Sequence, residues 1–156
     1  DEELQRLFSG MVHDTLDGEM KIHKAYMARL GITEEEIAKT KTSLTNQSYT
    51  SYMLDEAHKG GVLENLVAVL SCAWSYQMIG ENHKTIPGAL EHPMYGEWIN
   101  GYSCKEYCEN TQLIIDLVNQ YGEGISKERE DHLKEIFVNC SRYEADFWTM
   151  AYELKY

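Results

Sequence analysis

The stretch Val62-Leu63-Glu64-Asn65-Leu66-Val67-Ala68-Val69-Leu70-Ser71-Cys72-Ala73-Trp74-Ser75-Tyr76-Gln77-Met78-Ile79-Gly80-Glu81 is apolar around most of its circumference when wound at about 3.6 residues per turn. A helix with a single apolar stripe lies on a surface, whereas one that is apolar nearly all round has to be enclosed by other helices. The stretch therefore predicts a buried helix from Val62 to about Glu81 at the centre of an all-α bundle. Glu64, Asn65 and Ser71 interrupt its apolar run, which makes it too polar for a membrane span.

The rest of the chain fits that reading. Its only prolines are Pro87 and Pro93, so helices are not vetoed for long distances on either side. Upstream, Leu7, Phe8, Met11, Thr15, Leu16, Met20, Met27 and Leu30 recur at threes and fours from Leu4, predicting one long amphipathic helix capped by Gly31. Thr33 with Glu36 makes a capping box for a short acidic helix, in which Glu34, Glu35 and Glu36 complement the helix dipole. Ser48 or Asn46 is expected to open the next helix, which ends at Gly60 and Gly61. Downstream, residues 82–92 read as a loop. A short helix then holds Trp98 and Ile99, and a longer one runs through Leu113, Leu117 and Val118 to Tyr121. Ser126 caps a last helix that continues to the end. There is no strand-like alternation and no repeat.

A chain of 156 residues with 43% hydrophobic content suits a single domain spanning residues 1–156. With 14 basic against 26 acidic residues, its formal charge of −12 repels phosphate backbones and anionic lipid surfaces, so neither nucleic acid nor membrane is an expected partner. The four cysteines, Cys72, Cys104, Cys108 and Cys140, match neither a zinc ribbon nor a small disulfide scaffold. Together with the lack of a legible signal peptide, they point to reduced thiols and a cytoplasmic protein. The six histidines do not fall at metal-binding spacings, and Cys104 with Cys108 would need further ligands from elsewhere; no cofactor or metal is expected.

Two residues stand out chemically. On the last helix the stripe Leu133, Phe137, Cys140, Glu144, Phe147, Ala151, Leu154 keeps helical spacing and puts the Glu144 carboxylate among core-facing positions. Such a group is either a proton donor tuned by its apolar surroundings or an edge residue that pairs with Arg142 or a neighbouring helix. Cys72 lies deep in the apolar helix with Tyr76 one turn on and Trp74 nearby. A buried cysteine is commonly only a small hydrophobe, but a thiol beside flat aromatic surfaces also suits a planar heterocycle. Spacing alone leaves both pairs of readings open.

Four motifs resolve them through a resemblance: Ser48-Tyr49-Thr50-Ser51; Leu70-Ser71-Cys72-Ala73-Trp74-Ser75-Tyr76; His92-Pro93-Met94-Tyr95 with Trp98-Ile99 and Tyr102; and Tyr143-Glu144-Ala145-Asp146-Phe147-Trp148-Thr149-Met150-Ala151. In this order and spacing the chain resembles the TenA (thiaminase II, aminopyrimidine aminohydrolase) family, whose members have a helical fold similar to heme oxygenase and usually assemble as tetramers. The resemblance implies that Cys72 is a nucleophile, Glu144 a general acid/base, and Tyr49 a supporting tyrosine. It also implies that Tyr76, Tyr102 and Phe147 surround a pyrimidine. The expected reaction is hydrolysis of 4-amino-5-aminomethyl-2-methylpyrimidine to the hydroxymethylpyrimidine and ammonia, with cleavage of thiamin by the same chemistry. Two features depart from the family's pattern: Ser71 replaces a proline before the cysteine, and the chain begins after the helices that carry a substrate-binding aspartate and a stacking aromatic.

Two other classes compete with this expectation. One is a heme- or metal-dependent oxidase on the same fold, which needs an axial histidine or a carboxylate and histidine cluster. The other is a non-catalytic helical module that binds a small ligand.

Overall fold

The computed structural model describes residues 2–155, which form helices and turns with no strand among them. Two compact units are distinguished, one up to residue 41 and a second from Thr42 onward.

The first unit contains α1 (Glu2–Asp14), α2 (Met20–Arg29) and α3 (Glu34–Lys39). The single long helix expected here is interrupted: a π-helical turn at Thr15–Glu19 joins α1 to α2. A π turn adds a residue to the local hydrogen-bonded ring and rotates everything beyond it. The apolar stripe is therefore not continuous. Leu7, Phe8, Met11 and Met27 are partly buried, while Leu16, Met20 and Leu30 are exposed. The end at Gly31 is as expected, with a left-handed φ of 74°. Gly31 N–H donates to the Ala28 carbonyl at 3.1 Å and Ile32 N–H to Met27 at 2.9 Å, the paired bonds of a Schellman cap. The Thr33 capping box is also present: Glu36 N–H donates to Thr33 Oγ1 at 3.2 Å, and Thr33 N–H to Glu36 Oε2 at 2.8 Å.

The second unit comprises α4 (Leu44–Gly60), α5 (Val62–His83), α6 (Gly96–Ser103), α7 (Lys105–Gly122) and α8 (Lys127–Glu153). Here α5 is the helix against which α4, α6, α7 and α8 all pack, as its composition predicts. Contrary to the expectation drawn from Glu64, Asn65 and Ser71, α5 is long and apolar enough, by length and composition, to cross a membrane. In this fold Glu64 and Ser71 are buried and hydrogen-bonded. The Glu64 side chain is almost wholly buried and is held by the Arg129 guanidinium of α8, with Nε–Oε1 at 2.9 Å and Nη2–Oε2 at 3.1 Å. The core joins Tyr49 of α4, Leu63, Val67 and Ala68 of α5, and Leu133, Ile136 and Cys140 of α8.

Helix ends explain the small departures in boundaries. α4 starts at Leu44 rather than near Ser48, because Ser43 Oγ accepts from Asn46 N–H at 3.2 Å. The cap was inconspicuous in the sequence because the third helical position holds asparagine, not the glutamate of a capping box. Gly61, at φ 102°, both ends α4 and admits α5 after a single residue, a conformation other residues rarely adopt. Ser126 caps α8 by accepting from Arg129 N–H at 3.2 Å, and α8 ends at Glu153 with Leu154 left-handed.

Candidate active site

Three inter-helix contacts set the direction of α4 against α8. Glu56 meets His132 at 3.0 Å, Tyr52 meets Asn139 at 3.2 Å, and the Tyr49 ring stacks on Tyr143 with centroids 5.4 Å apart. Numbers fall on one helix as they rise on the other, so the two are antiparallel. On α5 and α8 the pairs Glu64–Arg129, Trp74–Phe137 and Tyr76–Trp148 rise together, so these two run the same way.

That geometry gathers Tyr49, Cys72 and Glu144 around one point. Tyr49 is buried, and its phenol is held far above its ordinary ionisation range by burial first, then by the negative charge of Glu144, with Cys72 adding in the same direction. Each of the three comes from a different helix, α4, α5 and α8. Glu144 is 8% exposed, so the core-facing position read from its stripe is correct. Cys72 is half-buried, whereas Cys140 is buried.

Cys140 lies one turn before Glu144 and is fully buried. Burial, with Glu144 and Glu56 acting in the same sense, pushes its thiol up to about 11, against a weaker opposing effect of Ser71. Cys108 is also raised, by burial and by Glu81. A thiol with a raised pKa is a poor nucleophile near neutral pH, because the thiolate is the attacking species.

One turn beyond this polar point on both α5 and α8 lies an aromatic cluster. Tyr76 follows Cys72 and Trp148 follows Glu144 by four residues each, and because the helices run in the same direction both shifts lead the same way. The Tyr76 ring lies 4.8 Å from Tyr102, 6.0 Å from Trp98 and 6.0 Å from Trp148, centroid to centroid. Tyr102 also meets Tyr107 edge-on at 5.1 Å. The approach of α6 to α5 depends on Gly80: a Cβ there would stand 3.0 Å from the Tyr102 carbonyl carbon. At the start of α6, His92 Nδ1 accepts from the backbone N–H groups of Met94 and Tyr95, both at 3.1 Å.

The sequence-derived candidates thus form two groups: Tyr49, Cys72 and Glu144 in one, Tyr76 and Tyr102 in the other. Phe147 is half-buried on α8, and the ring that α8 sends into the aromatic cluster is its neighbour Trp148. Trp148, Trp98 and Tyr107 were not singled out by sequence reasoning. The signal for two of them was present, since Trp148 is four residues after Glu144 and Trp98 four before Tyr102. The histidines serve structural contacts: His13 with Asp17 at 3.2 Å, His23 with Glu19 at 3.5 Å, His58 and His83 with the Leu54 and Ile79 carbonyls at 2.6 and 2.8 Å, and His132 with Glu56. Among the described residues no group of three or more His, Cys, Asp or Glu side chains is placed to hold a metal ion.

The sequence profile of the TENA/THI-4/PQQC family matches residues 1–154. The chain is 46% identical over 153 residues to an aminopyrimidine aminohydrolase from Helicobacter pylori, covering 98% of this chain and 70% of that protein. A second aminopyrimidine aminohydrolase, from Halalkalibacterium halodurans, is 44% identical over 145 residues, 93% of this chain and 65% of its own length. Among solved structures, a TenA homologue from P. horikoshii superposes with a TM-score of 0.79 at 30% identity, over 92% of this chain and 66% of that one. The fold is accordingly the all-helical, heme-oxygenase-like one of TenA homologues. The chain spans about two thirds of the length of these relatives.

Proposed function

The chain belongs to the TENA/THI-4/PQQC family, and on that premise we propose that it is a hydrolase of thiamin salvage acting on aminopyrimidines. The substrate is 4-amino-5-aminomethyl-2-methylpyrimidine, converted to the hydroxymethylpyrimidine and ammonia, and thiamin is cleaved by the same chemistry with the thiazole leaving. Support comes from the two relatives named aminopyrimidine aminohydrolase, 46% and 44% identical to this chain. The observation that supports the reading within the fold is the approach of Cys72 and of Glu144, each from its own helix, to the buried Tyr49 side chain.

Water does not readily displace an amine from the exocyclic methylene. A thiolate of Cys72 that adds to the pyrimidine ring forms a carbon–sulfur bond and makes the ring electron-rich enough to expel the amine. Glu144 supplies the proton that lets ammonia leave, then takes a proton from the water that adds to the methylene carbon. Expulsion of the sulfur restores the ring and the free thiolate, so the net change is substrate plus water to alcohol plus ammonia. Tyr49, kept as a neutral phenol by its surroundings, is a hydrogen-bond donor throughout. Tyr76, Tyr102 and Phe147 are assigned to the walls of the pyrimidine site, where flat apolar surface suits a planar ring.

The match of one family profile across residues 1–154 supports reading both compact units as one domain, residues 1–156. By the same family likeness the protein is a cytoplasmic homotetramer that works without a cofactor. The test is turnover: purified protein incubated with the aminopyrimidine is expected to release ammonia and the hydroxymethyl product in equal amounts. Saturable binding of the pyrimidine with no ammonia release would instead make the chain a binding module.

A further inference from the structure

The aromatic cluster extends past the rings assigned to the pyrimidine. Tyr76, Trp98 and Trp148, from α5, α6 and α8, have ring centroids 6.0, 6.0 and 6.1 Å apart, a nearly equilateral triangle. The rings are tilted against one another by 55°, 37° and 90°, so they do not stack. Rings of this size gathered from three helices usually close a core, yet Tyr76 and Trp98 are partly exposed and Trp148 is 45% exposed. The triangle is therefore an aromatic platform open to water.

The centre of such a triangle is about 3.5 Å from each centroid, and a group resting on it at van der Waals distance lies about 5 Å from all three, within the range of cation–π attraction. A neutral ligand there gains only buried area. A cation gains in addition from the rings' negative faces, and a chain of formal charge −12 favours cations over anions. A primary ammonium is compact and strongly hydrated, so a quaternary, delocalised cation is the better occupant. Tyr76 is four residues beyond Cys72, which puts the triangle about 6 Å further along α5. Two rings joined through one methylene carbon have centres about 5 Å apart, given bonds of about 1.5 Å. Resting on the pyrimidine site assigned above, we propose that Trp98 and Trp148 form, with Tyr76, a leaving-group subsite that takes a planar cationic ring such as a thiazolium attached to the pyrimidine's methylene.

Such a subsite discriminates by leaving group. An amine on the methylene is too small to cover the tryptophans, whereas a thiazolium covers them. Trp148→Leu keeps apolar bulk without a π face. It should lower kcat/KM for thiamin, relative to that for 4-amino-5-aminomethyl-2-methylpyrimidine, by roughly five- to ten-fold, mostly through the KM for thiamin. Trp98→Leu should shift the ratio the same way, and Trp148→Phe, which keeps a π face, should recover most of it. The partial exposure of both tryptophans makes folded variants the expected outcome, checked by far-UV circular dichroism.

A readout independent of turnover is equilibrium dialysis with 3,4-dimethyl-5-(2-hydroxyethyl)thiazolium beside the neutral 4-methyl-5-(2-hydroxyethyl)thiazole, which has nearly the same shape and no charge. Wild type should bind the cation roughly five-fold more tightly. The preference should vanish in Trp148→Leu and persist in Trp148→Phe. Neither probe carries a pyrimidine, so this pattern in a chain that releases no ammonia supports the aromatic cation site while removing the hydrolase reading. Equal binding of the two probes by wild type, no binding of the cation up to millimolar concentration, or the same preference in wild type and Trp148→Leu would overturn the proposal, whether or not ammonia is released.

Discussion

Glu144 occupies a position where a carboxylate has to be explained, since it is 8% exposed on a helix stripe otherwise made of core residues. Its removal tests which explanation holds. Glu144→Gln keeps the shape and hydrogen-bonding capacity but has no transferable proton. A general acid/base at this position predicts a chemical step slower by roughly a hundred-fold or more, with pyrimidine binding changed much less. A merely structural glutamate predicts the opposite, since glutamine relieves a buried charge and leaves the rate alone. Single-turnover rates and thermal melts of both forms separate the two, and an unchanged rate with raised stability would show Glu144 to be structural. At this scale the sequence was informative where one residue broke a pattern. The carboxylate in an apolar stripe was legible from spacing alone. Ser71 was not, because a serine inside a packed helix reads the same in sequence whether it faces solvent or is buried and bonded to a backbone carbonyl of its own helix, as here.

At the scale of elements, α8 is tied to α5 by the Glu64–Arg129 pair and to α4 by Glu56–His132 and Tyr52–Asn139. Burial pushes the Glu64 carboxyl up, but the Arg129 hydrogen bonds and charge outweigh it and hold the group below its ordinary 4.5. The sign follows from linkage: a carboxyl depressed in the folded state stabilises it above the unfolded value, and that contribution is lost as pH falls through the lower, folded value. Arg129→Ala should therefore destabilise the protein at neutral pH by about 2–3 kcal/mol, below the usual figure for breaking a buried pair because the arginine is partly solvated. The gap between variant and wild type should narrow as pH drops below about 4.5. Urea denaturation at pH 7 and pH 4 measures it; an equal gap at both would show that the pair contributes nothing that titrates. Helix identities were legible because periodicity survives over long apolar runs, and α5, α7 and α8 follow it. The π turn at Thr15–Glu19 was not, since one extra residue in a helical ring leaves the threes and fours of the stripe unbroken in the sequence.

At the scale of the molecule, the arrangement that brings chemistry together is the topology of the second unit. With α4 antiparallel to α8 and α5 parallel to it, Cys72 and Glu144, far apart in sequence, both approach the buried Tyr49, and the aromatic cluster lies one turn further on. No spacing within a single helix contains that information. It was reached beforehand through the likeness of four motifs to a family, and the comparison with enzymes 46% and 44% identical agrees with that likeness. What the family match leaves to experiment is the identity of the attacking group. The most direct measurement is single-turnover ammonia release from 4-amino-5-aminomethyl-2-methylpyrimidine by Cys72→Ser beside wild type, with far-UV circular dichroism of both. Oxygen is a far weaker nucleophile here and the change in volume is small, so the account predicts ammonia release at background with an unaltered helical spectrum. Release at the wild-type rate from a folded Cys72→Ser protein would contradict it.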